Sequence, residues 1–296
     1  KDSSRLGALG AVFLTNPNNN TTLQELNFPP VLKNLCRQQK GLILVTGPTG
    51  SGKSTTLSAM VDFINSEKKG HIITIEDPIE MVEPAFNQMQ VNRQIDLTFA
   101  SGVRALMRQD PDIIMVGEVR DLETAEIAVQ ATLTGHLVLS TLHTNDAPSA
   151  FTRLQELGLP SYLIRSSVIG VMAQRLVRTL CPHCKEKQGV DERAWKQLTA
   201  PWLVKTPTFI YGAKGCLECR GTGYMGRMGI YEVMPLTENL EPLIHESTDQ
   251  QKLRQAAMKE GMHSLRLSGA HKVAAGMTTI AEVMRVAPAT RLNNQG

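Results

Sequence analysis

The sequence predicts an α/β fold in which helices cross over a parallel sheet, and three observations indicate it. Four short apolar runs recur between residues 41 and 145, and continuous runs of this length suit strands buried on both faces of a sheet. Amphipathic stretches of helical length separate these runs. A polar cluster follows each run, and the ligands of open α/β sheets bind beyond the carboxyl ends of the strands. We therefore expect the four clusters at one edge of the sheet.

The predicted elements alternate regularly after an N-terminal segment. Residues 1–40 are predicted to be a linker, the remnant of a preceding domain, with a Gly- and Asn-rich tail over 1–22 and a short helical lead-in over 23–39. The predicted strands that follow are 42–45, 72–75, 113–116 and 137–141. The predicted crossover helices are 55–66, 98–108 and 122–132. Together they predict an α/β core domain over residues 41–180.

The composition of the chain changes after residue 180. Four paired cysteines and many glycines fall in the next fifty residues, which predicts a small metal-binding module over 181–235. A C-terminal helical region is predicted over 236–296, with helices at 240–245, 250–259, 264–275 and 279–286.

The overall composition excludes several classes of protein. The chain has 296 residues, enough for one large domain or two of ordinary size. A net charge of +3 is too small to indicate a nucleic-acid partner. No stretch approaches the roughly 18 apolar residues of a membrane span, and nothing at the first residues resembles a signal peptide.

A phosphate-binding loop follows the first predicted strand. Residues 47–54 read GPTGSGKS and fit the pattern G-x-x-x-x-G-K-[ST], whose glycines let backbone N–H groups face the phosphates of ATP. The start of the next helix adds partial positive charge. Lys53 is expected to reach the β- and γ-phosphates, and Ser54 to bind Mg²⁺. The predicted nucleotide-binding residues are Gly47, Pro48, Thr49, Gly50, Ser51, Gly52, Lys53, Ser54 and Thr55, with Glu76 and Asp77.

Acidic residues follow the second and third predicted strands. ATP hydrolysis needs acidic groups for Mg²⁺ and a group that positions the attacking water. Glu118 takes the place of the second acidic motif of P-loop enzymes, and is expected to act on Mg²⁺ directly or through water. Asp77 and Glu80 lie after the second strand, where either could orient the water. The alternative is that Asp77 belongs to a simple Asp-Pro turn and Glu80 is a solvated acid.

Two histidines flank the fourth predicted strand. His143 follows this strand, and a position at the carboxyl edge of the sheet favours sensing of the γ-phosphate. His136 precedes the strand and should lie toward the other edge. The alternative for each is an ordinary packed or surface histidine.

Three arginines are close in sequence to the acidic clusters. Arg104, Arg108 and Arg120 could stabilise charge on a transferred phosphoryl group, in their own subunit or across a subunit boundary. The alternative for each is an ordinary surface cation.

The paired cysteines predict a structural metal site. Cys181 and Cys184 form one C-x-x-C pair, and Cys216 and Cys219 form the other. Four thiolates give a closed tetrahedral site that Zn²⁺ suits best. A redox pair or free thiols are the alternatives, and His183 could replace one cysteine. The long stretch between the pairs predicts an inserted loop or helix near 191–198.

Six segments together carry a resemblance to a known family. They are GPTGSGKS at 47–54, TIEDPIE at 74–80, DPDIIMVGEVRD at 110–121, TGHLVLSTLHT at 134–144, AQRLVRTLCPHC at 173–184 and GYMGRMGIYEVM at 223–234. Over residues 23–288 the chain resembles the bacterial type II secretion and type IV pilus motor ATPases. A tetracysteine module is typical of the assembly and secretion branch of that family, and retraction ATPases generally lack it.

This resemblance implies a RecA-like core with ATP bound between the protomers of a hexamer. It implies that Glu80 is the catalytic base, that Glu118 supports Mg²⁺ or water, and that both histidines matter to the nucleotide site. The predicted catalytic residues are Glu80, Glu118, His143, His136 and Arg120, and the predicted cofactors are ATP, Mg²⁺ and Zn²⁺.

The resemblance also implies partners and a place in the cell. Motors of this family act from the cytoplasmic face of the inner membrane on a platform protein, with a cytoplasmic adaptor. Members carry a PAS-like domain before the core, which implies that residues 1–40 follow such a domain. The resemblance leaves open whether the motor serves type II secretion or pilus assembly.

Two other functions compete with a secretion or pilus motor. A RecA-like nucleic-acid translocase would use the zinc module as a DNA contact, but it predicts a basic stripe with aromatic residues. Aromatic residues make up only 4% of this chain, so no nucleic-acid partner is expected. A nucleotide-binding scaffold with a decayed ATPase is disfavoured because all the expected acidic residues are present.

Overall fold

The computed structural model describes residues 25–287 and 289, and the backbone of residues 3–5 and 8–10. In the first segment β1 (Ser3–Arg5) and β2 (Ala8–Gly10) pair antiparallel. The tail predicted over 1–22 and the last residues of the predicted region 236–296 lie mainly outside the described residues. The predicted helical lead-in contains α1 (Pro30–Cys36).

A seven-stranded sheet organises the part of the chain that is described. Its strands are β3 (Gly41–Thr46), β4 (Ile72–Glu76), β5 (Asn87–Gln90), β6 (Ile113–Val116), β7 (Leu137–Leu142), β8 (Val168–Leu180) and β11 (Tyr224–Pro235). Their order is β11-β8-β3-β7-β6-β4-β5. β11 runs antiparallel to β8, and the other neighbouring strands are parallel. The predicted fold class is confirmed, and the four predicted strands are β3, β4, β6 and β7.

Helices connect and cover the parallel strands. They are α2 (Lys53–Glu67), α3 (Phe99–Leu106), α4 (Leu122–Leu133), α5 (Pro148–Glu156) and α6 (Ser161–Ser167). The first three confirm the predicted crossover helices. Side-chain caps fix two of their starts, since Thr98 forms a capping box with Ser101 before α3, and Asp121 accepts from the Thr124 N–H before α4.

The sheet is buried on both faces, as its continuous apolar strands predict. Along β3 the side chains alternate between two cores because successive residues of a strand point to opposite faces. Leu42 and Leu44 join the core under α3 and α4, whereas Ile43 and Val45 join the core under α1 and α2. All four side chains are buried. This packing holds the carboxyl ends of the strands, and the loops that follow them, in fixed relative positions.

The cysteine segment and the C-terminal helices pack beside the antiparallel edge of the sheet. The cysteine segment contains β9 (Glu186–Gln188), α7 (Glu192–Thr199) and β10 (Ile210–Gly212), and β9 pairs with β10. Helix α7 confirms the insertion predicted near 191–198. The C-terminal helices are α8 (Gln250–Lys259), α9 (Leu265–Ala274) and α10 (Ile280–Val286), and they confirm three of the four helices predicted there.

Two differences from the predicted elements have physical reasons. The helix predicted at 240–245 is only a short 3-10 turn, Glu241–Leu243, that contains a proline. Strand β11 falls in the stretch assigned to the cysteine module, yet it pairs along β8 as part of the main sheet. The domain boundaries at 180 and 235 therefore stay predictions. Among the described residues, no helix combines the length and apolarity needed to cross a membrane.

Candidate active site and metal centre

The carboxyl ends of β3, β4, β6 and β7 open into one cleft. The cleft has a volume of about 450 Å³ and is lined by the phosphate loop and by the segments that follow the other three strands. Its lining includes Thr49, Gly50, Gly52, Lys53, Ser54, Thr55, Glu76, Asp77, Glu80, Glu118, Arg120 and His143. The sheet thus brings together four clusters that are far apart in sequence. The role of each residue stays a prediction.

The phosphate loop wraps from the end of β3 to the first turn of α2. Gly50 and Gly52 have φ angles of 77° and 86°, a left-handed conformation that favours glycine. The Lys53 Nζ donates to the carbonyl oxygens of Gly47 and Pro48 at 2.9 and 3.2 Å. Burial lowers the pKa of Lys53, and the carboxylates of Glu118 and Glu80 act in the opposite direction. The ammonium therefore lies in the loop with two acidic residues near enough to influence it.

Glu118 lies between a histidine and an arginine. Its Oε1 is 3.1 Å from the Nε2 of His143, and its Oε2 accepts from the Nε of Arg120 at 2.7 Å. Arg120 also lies 3.9 Å from Asp77, as does Arg93. The Glu118 side chain is only 18% exposed, whereas His143 and Arg120 are about half exposed, at 45% and 49%. These contacts connect Glu118 to His143 and, through Arg120, to Asp77.

The acidic residues after β4 face different surroundings. Glu76 Oε1 accepts from Thr74 Oγ1 at 2.7 Å and from Gln88 Nε2 at 3.0 Å, so this oxygen is engaged within the sheet. Asp77 and Glu80 are exposed and line the cleft. Of the three, Asp77 and Glu80 are the better placed to meet water or nucleotide.

His136 is the predicted catalytic residue that the structure does not bring to the cleft. It precedes β7, at the amino end of the strand, where its Nδ1 lies 2.9 Å from the Ala131 carbonyl oxygen and 3.0 Å from Thr134 Oγ1. It lines a separate cavity beside α1 and α2. The role at the nucleotide site that the resemblance implies is therefore not supported within one chain, because β7 separates the two histidines. Its position agrees with the expectation from its place ahead of the strand.

The other predicted arginines differ from Arg120. Arg104 pairs with Glu123 at 3.0 Å on exposed helix surfaces, and Arg108 lies in a 3-10 turn after α3. Neither lines the cleft.

Strands β8 and β11 bring to the cleft several residues that the sequence motifs did not predict. The Gln174 side chain is buried, donates from Nε2 to the Ser51 carbonyl at 2.7 Å and accepts from the Thr56 hydroxyl at 2.6 Å. A Cβ on Gly52 would lie 2.9 Å from this amide nitrogen. Leu176 and Arg227 line the cleft itself. A buried polar residue within a long apolar strand is the signal that could have found Gln174.

The four paired cysteines form one cluster whose Sγ atoms all lie within 4.8 Å of one another. The Cys181–Cys216, Cys184–Cys219 and Cys216–Cys219 Sγ distances are 3.9, 3.8 and 3.7 Å. A tetrahedral ion with bonds of about 2.3 Å to sulfur needs sulfurs about 3.8 Å apart. These three distances match that spacing, so the four cysteines suit a Zn²⁺ ion, and His183 is not part of the cluster.

Backbone N–H groups point at these sulfurs as well. Cys219 Sγ accepts from the N–H of Cys216 and of Gly223 at 3.1 Å each, and Cys184 Sγ accepts from Gly215 N–H at 3.3 Å. Burial would raise the pKa of the Cys219 thiol, but these donors and the neighbouring thiols lower it to about 6. Burial raises the pKa of Cys184 to about 12. The donors stabilise thiolate at Cys219, which is the form that binds metal.

The sequence matches the profile of one protein family, described as Type II/IV secretion system protein, over residues 14–285. It is 53% identical over 273 residues to the type IV pilus assembly ATPase TfpB of Acinetobacter baylyi, covering 91% of this chain and 46% of that protein. It is 50% identical over 254 residues to the type II secretion system ATPase E of Vibrio cholerae, covering 86% of this chain and 50% of that protein. The chain therefore spans about half the length of these relatives.

Solved structures share the fold. The pilus retraction motor PilT with bound ADP aligns over 97% of this chain and 72% of its own, with 32% identity and a TM-score of 0.70. The ATPase DotB of Legionella pneumophila aligns over 91% of this chain and 66% of its own, with a TM-score of 0.67. At 24% identity, DotB supports the fold alone.

Proposed function

This chain belongs to the Type II/IV secretion system protein family, and from this premise we propose that it hydrolyses ATP to power type IV pilus assembly or type II protein secretion. The observation that carries the proposal is the cleft in which the phosphate loop faces the linked residues Glu118 and His143. The names of the two relatives described above support it.

The phosphate loop would bind the triphosphate of ATP. Its N–H groups and the start of α2 give a site for anions. The Lys53 ammonium, which donates to Gly47 and Pro48 carbonyls, would exchange these acceptors for phosphate oxygens. Gln174 holds the loop from below through the Ser51 carbonyl and the Thr56 hydroxyl, so the loop needs little rearrangement when nucleotide enters.

The acidic residues would serve Mg²⁺ and the attacking water. Ser54 and Glu118, which both line the cleft, would hold Mg²⁺, and the charge of the ion would offset the negative charge that develops on the phosphates. Glu80, exposed on the cleft, would orient the water and take its proton as the catalytic base. In the tautomer protonated at Nε2, His143 would donate to the Glu118 carboxylate, and as a half-exposed side chain it would reach the γ-phosphate.

A zinc ion held by Cys181, Cys184, Cys216 and Cys219 would have a structural role. Four sulfur ligands leave no open position for catalysis. The cluster joins the ends of β8 and β11, because Cys181 directly follows β8 and its N–H donates to the Gly223 carbonyl just before β11. The ion would therefore stabilise the antiparallel edge of the main sheet.

The assembled motor would be a ring of six copies. A hexamer with nucleotide between subunits would let Arg120, half exposed at the rim of the cleft, act within or across subunits. An inner-membrane platform protein, with a cytoplasmic adaptor, would receive the motion at the cytoplasmic face of the membrane. Which of the two machines it serves is left open by relatives from both.

The proposal is tested by ATP turnover and nucleotide binding of the purified chain with Mg²⁺. Hydrolysis should be abolished by Lys53→Ala and unchanged by Lys252→Ala, an exposed cation on α8. Turnover that survives Lys53→Ala would contradict the assignment of the cleft. A wild-type chain that fails to bind Mg-ATP would contradict the proposed function.

A further inference from the structure

Each residue of the turn that follows His143 makes a hydrogen bond or an ion pair to another part of the fold. The four residues after the histidine form this turn, and each is bound by a group from a different element. The hydroxyl of Thr46, at the end of β3, accepts from the Thr144 N–H at 2.8 Å and is hydrogen-bonded to the Thr144 hydroxyl at 2.7 Å. Arg175 of β8 donates to the Asn145 carbonyl at 2.8 Å. The backbone direction of the chain as it leaves His143 is thereby defined.

The second half of the turn is held by two charged residues that do not line the cleft. Arg254 of α8 lies 2.7 Å from the Asp146 carboxylate through Nη2 and 3.5 Å from the Glu232 carboxylate through Nη1. Glu232 of β11 accepts from the Ala147 N–H at 2.8 Å. Glu232 is 2% exposed, and the side chains of Arg254 and Asp146 are 13% and 17% exposed. Such buried charges are costly unless each is paired.

The cluster contains two acidic and two basic residues, since Asp146 and Glu232 lie beside Arg254 and the neighbouring Arg175. Burial raises the pKa of Glu232, and the Arg254 guanidinium acts in the opposite direction. Only a guanidinium can reach both carboxylates at once with two arms of fixed geometry. The cluster therefore defines where Asp146 and Ala147 lie, and with them the orientation of the segment that begins at His143.

We propose that Arg254 and Glu232 are positioning residues for His143, holding the turn 144–147 so that the imidazole faces Glu118. His143 is about half exposed, so its position depends on its backbone more than on surrounding packing. The inference rests on the proposed function only for its kinetic consequence. It also gives the C-terminal helix α8, which does not line the nucleotide cleft, a role in positioning His143.

The kinetic test compares Arg254→Met with Lys252→Met, an exposed cation on the same helix. Arg254→Met should lower kcat about tenfold, because a small misplacement of a reacting group has effects of at least this size. The KM for ATP should change less than about twofold, since the phosphate loop is untouched. Lys252→Met should leave both constants unchanged. Equal losses in kcat and in Mg-ATP affinity would indicate general structural damage and overturn the proposal.

A double variant separates positioning from an independent effect. If Arg254 acts through His143, adding Arg254→Met to His143→Gln should lower kcat by less than about twofold further. Multiplying losses would overturn the proposal. Arg254→Lys should recover only part of the activity, because a lysine cannot bridge both carboxylates. Glu232→Gln, which keeps an oxygen for Ala147 N–H, supplies a milder variant if Arg254→Met does not fold.

A spectroscopic readout does not depend on ATP turnover. Imidazole NMR signals, with His143 assigned from His143→Gln, should move in Arg254→Met and in Glu232→Gln but not in Lys252→Met. An unmoved His143 signal in both folded variants would overturn the positioning role. If the wild-type chain does not hydrolyse ATP, the proposed function fails, whereas this measurement still decides whether the turn positions the histidine.

Discussion

The imidazole Nε2 of His143 lies 3.1 Å from the Glu118 carboxylate, and the two residues follow neighbouring parallel strands. They are 25 residues apart, and the crossover helix α4 returns the chain between them. Glu118 also accepts a hydrogen bond from Arg120, so its carboxylate is contacted by an arginine on one side and a histidine on the other. A nucleotide with its Mg²⁺ would compete for the same carboxylate. We therefore expect the contact between His143 and Glu118 to differ between nucleotide states.

The first prediction concerns His143. His143→Gln should lower kcat for ATP roughly a hundredfold while nucleotide affinity stays within about threefold, because a donor aimed at developing charge acts mainly in the transition state. Steady-state turnover and binding of Mg-ATP at equilibrium measure the two quantities. His136→Gln is the matched control, and its kcat should remain near that of wild type because His136 lies at the other end of β7. Equal losses in both variants would contradict this distinction.

The second prediction concerns Gln174 beneath the phosphate loop. Gln174→Leu keeps the volume but leaves the Ser51 carbonyl and the Thr56 hydroxyl without their partner. A buried polar group without a partner costs about 1–3 kcal/mol. We expect Mg-ATP affinity to fall by about tenfold, with a lower melting temperature, measured by calorimetry. Gln197→Leu, on the exposed face of α7, is the control and should change neither value.

The elements whose sequence patterns are local could be predicted. Apolar runs predicted β3, β4, β6 and β7, and polar clusters after them predicted that Lys53 and Glu118 share one edge. The parallel arrangement then follows from the crossover helices alone. His143 could be placed by the same reasoning. These predictions depended only on the spacing between strands and on the end of the strand that each residue follows.

The features that the sequence did not predict depend on contacts between segments that are distant in sequence. Strand β8 carries polar residues among apolar ones, so its role as the neighbour of β3 had no clear periodic signal. Gln174 contacts Ser51 across more than a hundred residues, and Arg254 contacts Asp146 across a similar separation. Pairs of this kind are set by tertiary packing, which no single motif records. They could be predicted only as buried polar residues that require partners.

The third prediction concerns the cysteine cluster. The purified chain should contain about one zinc ion per molecule, because the four sulfurs lie within 4.8 Å of one another and three of their distances match tetrahedral spacing. Cys216→Ser should abolish zinc binding and lower the melting temperature, as should a strong chelator on the wild-type protein. Elemental analysis and thermal unfolding measure both effects. Cys36→Ala, which removes a buried cysteine outside the cluster, should keep its zinc. Zinc-free, fully stable wild-type protein would contradict the site.

A buried carboxylate ties β8 to α10. Glu282 Oε1 accepts from Arg178 Nη2 at 2.6 Å and Oε2 accepts from Arg285 Nη2 at 2.9 Å. Its side chain is 3% exposed. Burial would raise the pKa of Glu282, but the hydrogen bonds from Arg178 and Arg285 outweigh it and lower the pKa from 4.5 to about 2. The ionised form of Glu282 is therefore favoured more strongly in the folded chain than in the unfolded chain.

The last prediction follows from the sign of this shift. Because the pKa of Glu282 is lower in the folded than in the unfolded chain, its ionised carboxylate stabilises the fold. This contribution is complete above pH 4.5 and is lost as the pH falls toward about 2. Glu282→Gln should therefore melt well below wild type at neutral pH, and the difference should shrink as the pH falls below about 4.5. Loss of zinc in acid affects both proteins alike, so the difference in melting temperature isolates Glu282. Glu260→Gln, an exposed carboxylate hydrogen-bonded to Thr237, should show a much smaller difference at neutral pH. A Glu282→Gln difference that is constant from neutral to acidic pH would mean that this carboxylate does not stabilise the fold through its charge.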